Sequence, residues 1–113
     1  MSGLAARRCV RMKKGSPPLA TDAAERLRAE VPEWTIREGK RLEREFRFPD
    51  FKAALAFTVR AGEVADAEDH HPDIHLSWGR VRIEVWTHSV GGLSENDFIL
   101  AAKIDRLETG RHT

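Results

Sequence analysis

Cysteine is almost missing from this chain of 113 residues: Cys9 stands alone. A single thiol excludes an intramolecular disulfide, and no CxxC or Cys/His spacing of a zinc module is present, so a reducing compartment fits best. Long apolar runs are missing too. No stretch approaches the roughly 20 apolar residues that cross a bilayer, and the segment before Leu19 has no apolar core of a secretory signal, so the expected location is cytoplasmic, with no membrane partner. Acidic residues are missing before Pro17, where Arg7, Arg8, Arg11, Lys13 and Lys14 stand unopposed. The segment closes on Gly15-Ser16-Pro17-Pro18, and residues 1–18 read as a flexible basic N-terminal arm. A transit peptide or a nucleic-acid-binding arm would carry the same charge. Five cations without interleaved aromatics are a weak nucleic-acid signal, so the preferred reading is a solvated tail.

What is present describes an ordinary folded domain. Hydrophobic residues make up 41% and charged residues 33%, with a net charge of +1. The length leaves room for one core, placed at 19–110.

Thr21 and Asp22 offer N-capping oxygens to a helix predicted over 22–31, with Ala24, Leu27 and Val31 at helical spacing before Pro32. Trp34 and Ile36 alternate with polar residues, Gly39-Lys40 turns the chain, and Leu42, Phe46 and Phe48 alternate again, which predicts a β-hairpin. From Asp50 a helix of about 18 residues carries two apolar stripes, Phe51-Leu55-Val59-Gly62 and Phe57-Ala61-Val64. One small sheet cannot cover both, so the second is expected to pack on another copy of the chain. A second hairpin is predicted over 73–78 and 81–89, turning at Gly79-Arg80. Ser94-Glu95-Asn96-Asp97 supplies the capping box of a last helix ending near Gly110. The expected class is α+β: a four-stranded antiparallel sheet with three helices packed on one face, in the order α-β-β-α-β-β-α.

Four of the five histidines fall between positions 70 and 88. An imidazole gives or takes a proton near neutral pH, so the cluster suits general acid–base work. Plainer readings compete. His70-His71-Pro72 also suits a polar helix exit, because Pro72 forces His71 toward extended dihedrals. His88 shares strand parity with Arg82, Glu84 and Trp86, off the aliphatic core, which makes it surface or site. His75 reads as surface, and His112 lies in a frayed terminus. Zinc or iron ligation by His70, His71 and His88 is disfavoured, since adjacent histidines rarely share one metal on regular structure. Asp97, taken locally, is a capping residue.

Asp69-His70-His71-Pro72, then Thr87-His88, Gly91-Gly92-Leu93-Ser94 and Asp97, resemble the signature of the pterin-4a-carbinolamine dehydratases. The likeness extends through Trp34, Phe46-x-Phe48-x-x-Phe51 and Ala101-Ala102-Lys103-Ile104-Asp105, over about residues 19–108. It implies a lyase that dehydrates a 4a-hydroxytetrahydropterin to the quinonoid dihydropterin, in support of tetrahydrobiopterin recycling. It further implies no metal or organic cofactor, a homodimer or homotetramer, and an aromatic amino-acid hydroxylase in the same pathway. By resemblance His70, His71 and His88 are the catalytic residues, and Trp34, Asp66 and Asp97 bind or orient the substrate. Asp66 stands where many members carry Glu, one methylene shorter. The family fold also serves as a dimerisation cofactor of a homeodomain factor, which makes a non-catalytic binding module the alternative.

Overall fold

The computed structural model describes residues 3–111, with side chains through residue 107. His112 lies outside the described residues. Alternating apolar residues dictate the pairing of the strands. β1 (Thr35–Arg37) pairs Ile36 with Leu42 of β2 (Arg41–Arg47). β3 (Asp73–Ser77) pairs Ile74 with Ile83 and Leu76 with Val81 of β4 (Arg80–Val85). β2 and β4 join the two hairpins, setting Leu42 opposite Val85 and Phe46 opposite Val81. The sheet is antiparallel throughout, in the order β1-β2-β4-β3. Period-two alternation puts these apolar partners on one face and Glu43, Glu45, Arg82 and Glu84 on the other.

The helices α1 (Thr21–Arg28), α2 (Phe51–Glu68) and α3 (Glu95–Arg111) complete the order α-β-β-α-β-β-α. α1 is shorter than its periodicity predicts. Glu30 N–H donates to Leu27 O and Val31 N–H to Arg28 O, bonds across three residues that tighten the chain into turns before Pro32. Its first residue is Thr21, and the residue before it, Ala20, makes no side-chain cap. α2 is capped at Asp50, whose carboxylate accepts from Ala53 N–H at 2.8 Å. Phe57 meets the rings of Phe46 and Phe48 at centroid distances of 4.6 and 5.1 Å, seating α2 on the apolar face. α3 buries seven consecutive residues, Asn96 to Ala102, as expected of a helix enclosed on all sides.

Two expectations change here. The stripe left uncovered on α2 is not Phe57-Ala61-Val64 but the other one: Phe51, Leu55 and Val59 are 43%, 43% and 51% exposed. The Phe57 ring decides this, since it fits against Phe46 and Phe48. The described part of the arm also lies on the domain, where a solvated tail was expected. Leu4 is buried in the core within a short 3-10 turn (Leu4–Ala6), and Lys103 Nζ donates to Ala5 O at 2.9 Å. Among the described residues no helix is long and apolar enough to cross a membrane.

Candidate active site

α2 ends in a way that fixes where the first histidine goes. Asp69 adopts the left-handed conformation at φ 54°, one of the few side chains that tolerate it. Its N–H donates to Asp66 O, and His70 N–H reaches back to Ala65 O, both at 3.1 Å. These are the paired bonds of a Schellman close, and they deliver His70 as the second residue past the helix.

There His70 meets the start of α3. Its Nε2 lies 2.7 Å from Asp97 Oδ1. Asp97 is fully buried, and its other oxygen accepts from Ser94 N–H at 2.8 Å and from Thr87 Oγ1 at 2.9 Å. The capping box anticipated at Ser94 therefore forms: Asn96 N–H donates to Ser94 Oγ while Asp97 reaches back to Ser94 N–H. The same carboxylate caps the helix and holds the imidazole. With Nε2 engaged, Nδ1 is the ring nitrogen left for exchange with a ligand.

His71 and His88 are held more loosely. His71 Nε2 lies 3.2 Å from Asp66 Oδ1, and both side chains are exposed. His88 was expected in the return strand, but β4 stops at Val85 and His88 begins a 3-10 turn, His88–Val90. Thr87 N–H donates to Gly92 O at 2.8 Å, so a bridge between the two replaces the strand. Gly91 closes the turn at φ 68°, a conformation strained for a residue with a Cβ. The His88 ring stacks on Trp86, centroids 4.5 Å apart at 25°.

The three histidines line one open cavity of about 560 Å³, together with Glu68, Asp69, Trp86, Asn96 and the arm segment Cys9–Met12. The other expected site residues do not line it. Asp97 acts through His70, and Asp66 flanks His71 from outside. Trp34 is buried elsewhere: it is 1% exposed, its Nε1 donates to Asp105 Oδ1 at 2.8 Å, and its ring meets Phe46 edge-on. A side chain so enclosed cannot stack on a ligand of this cavity. Among the described residues no three His, Cys, Asp or Glu side chains converge as a metal-binding set would. His75 projects from β3 toward Glu84, away from the cavity.

Sequence reasoning missed Trp86, Glu68 and the arm. Trp86 carried a signal, standing two residues before His88. Glu68 and the arm carried none, because their contacts cross the whole chain. Burial works to raise the Glu68 carboxyl, but the Cys9 N–H bond and the Lys103 and Arg8 cations outweigh it and hold the group below its ordinary 4.5. Cys9 moves the opposite way: burial, then the negative charges of Glu68 and Asp97, push its thiol up to about 12.

Residues 17–107 match the family model for pterin 4 alpha carbinolamine dehydratase. A relative from Chlorobium limicola named "Putative pterin-4-alpha-carbinolamine dehydratase" is 53% identical over 105 residues, covering 90% of this chain and 93% of its own. Another of the same name, from Rubrobacter xylanophilus, is 49% identical over 107 residues, covering 95% and 100%. A solved structure from Brucella melitensis, described as a transcriptional coactivator/pterin dehydratase, superposes with a TM-score of 0.75 at 28% identity, over 80% of this chain and 97% of that one. The matched stretch contains all three cavity histidines and the carboxylate behind them, and the protein belongs to the pterin-4a-carbinolamine dehydratase family.

Proposed function

We propose that the protein dehydrates a 4a-hydroxytetrahydropterin by histidine acid–base catalysis. The C4a–OH bond breaks, the N5–H proton leaves, and the electron pair of that N–H bond becomes the C4a=N5 double bond of the quinonoid dihydropterin. One group must accept the N5 proton and another must protonate the departing hydroxyl as water. Groups with a pKa near neutrality serve both steps, and general acid–base assistance of this kind is worth about 10²–10⁴ in rate. The observation that carries the reading is that His70, His71 and His88 line one cavity, with His70 tied to the buried Asp97. Asp97 would hold the His70 ring in one orientation and stabilise positive charge arriving on it, as a carboxylate behind a catalytic imidazole does.

In this reading the enzyme works in the cytoplasm, needs no cofactor, and supports tetrahydrobiopterin recycling beside an aromatic amino-acid hydroxylase. The exposed Phe51, Leu55 and Val59 stripe supports self-association as a homodimer or homotetramer. The same stripe would serve the alternative, a binding module, which the coactivator description of the Brucella protein brings to mind. The test is the disappearance of 4a-hydroxytetrahydropterin, generated by a hydroxylase, with wild-type protein, with His88→Ala and with protein omitted. Acceleration that the variant loses is expected. A folded wild-type protein that gives no acceleration overturns the enzyme reading in favour of the module.

A further inference from the structure

One wall of the cavity comes from the arm: Cys9, Val10, Arg11 and Met12 line it with His70 and His88. This stretch has no regular secondary structure, so other elements must fix it. Asn96, in the first turn of α3 and 3% exposed, grips Val10 at both backbone groups. Val10 N–H donates to Asn96 Oδ1 at 2.9 Å, and Asn96 Nδ2 donates to Val10 O at 2.6 Å. Glu68, the last residue of α2, accepts Cys9 N–H at 2.8 Å and is braced by Arg8 at 3.2 Å and Lys103 at 3.5 Å. Further on, Gly15 N–H donates to Ser89 O at 2.9 Å. The three anchors stand next to the groups of the site: Asn96 beside Asp97, Glu68 two residues before His70, and Ser89 directly after His88.

A polar side chain buried to this degree needs partners, and Asn96 finds both of its amide partners on one exposed residue some 86 positions away. The arm is thus part of the cavity's construction.

We propose that residues 9–12 form a strap that walls the pterin pocket, and that Asn96 and Glu68 are positioning residues that hold it against the bound substrate. The proposal rests on the dehydratase reading. Val10 and Met12 give this wall apolar side chains suited to the face or edge of a flat heterocycle, and Arg11 adds a cation at the mouth. None of the four residues is a proton carrier near neutral pH, so the strap governs KM and leaves the chemical step to the histidines. Glu68 stays charged through the neutral range. Its folded value is depressed, so the clamp is present above 4.5 and is lost as the pH falls through the lower value.

The test uses the full chain with Asn96→Ala and Val10→Pro. The second variant deletes the donor on the exposed strap and leaves α3 intact, so it decides the matter if the first fails to fold. Cys9 reports the strap's position, because alkylation needs the thiolate and the seated thiol is pushed up to about 12. Released strap should therefore alkylate with iodoacetamide at pH 7.5 at least tenfold faster than wild type. The expected kinetic result is a KM raised about tenfold with kcat within threefold, a split that simple loss of folded enzyme does not produce. Fast alkylation with wild-type KM overturns the strap as a substrate wall. Slow alkylation in both variants overturns Asn96 as its holder. An inactive wild type overturns the dehydratase reading instead, and the strap's role falls with it.

Discussion

His70 and His88 reach the same cavity by opposite routes. His70 sits at the end of a Schellman turn with 11% of its side chain exposed, its Nε2 bound to a carboxylate that Ser94 N–H and Thr87 Oγ1 pin in place. His88 is exposed on a short turn and steadied by one flat contact with Trp86. Each position can contribute only what its setting allows. A ring locked by a buried carboxylate has one orientation and one free nitrogen; a ring on a turn can exchange protons with solvent and adjust to the ligand. Fold and site are fused at the first and separable at the second.

Removing Asp97 should therefore break both at once. Asp97→Ala leaves Ser94 N–H, Thr87 Oγ1 and His70 Nε2 without their buried acceptor. Leaving a buried donor without its acceptor costs about 1–3 kcal/mol. Urea unfolding should show a loss of that order, and turnover at low temperature, where the variant remains folded, should fall by about 10² or more. Asp97→Asn keeps the shape and should recover much of the stability but not the rate.

His88→Ala tests the other side. Turnover should fall by about 10²-fold, the lower end for the loss of one acid–base group, while the urea midpoint stays at the wild-type value. His71→Ala should behave in the same way, being exposed as well. If either exposed variant lost stability as Asp97→Ala does, the contrast between locked and free histidines would fail.

The elements on each side of this comparison were unequally legible in the sequence. Alternation at Leu42/Phe46 and Val81/Ile83/Val85 gave the strands, and the helical stripe from Phe51 gave α2, because burial of one face imposes a period that any reader can count. Ser94-x-x-Asp97 showed the cap. What it could not show was that the cap's carboxylate turns toward a histidine 27 residues earlier, since that needs the Schellman close at Asp69. His88 was assigned to a strand because its parity continues that of β4, whereas the bridge from Thr87 to Gly92 ends the strand first. Trp34 was drawn to the site by resemblance, but Asp105 and Phe46 enclose it in the core. The arm was read by its charges, and Arg8 does meet Glu68, but Leu4 and backbone groups that carry no side-chain signal also decide its place.

The smallest effect is expected where a carboxylate stands behind the exposed His71. Asp66 Oδ1 lies 3.2 Å from His71 Nε2, the same kind of pair as Asp97 with His70, but with side chains 84% and 56% exposed. Water and salt screen such a pair, and exposed ion pairs are worth about 1 kcal/mol at most, which is about fivefold in rate. Asp66→Asn should thus change kcat/KM by less than about fivefold, and the difference from wild type should shrink as salt is raised from 20 mM to 1 M, concentrations at which the screening length falls from about 20 Å to about 3 Å. The deficit of Asp97→Asn should persist across the same range, because a fully buried carboxylate is beyond the reach of the ions. A salt-insensitive loss at Asp66 would mean that His71 closes inward when substrate binds and takes Asp66 with it, and the distinction between the two carboxylates would then belong only to the empty enzyme.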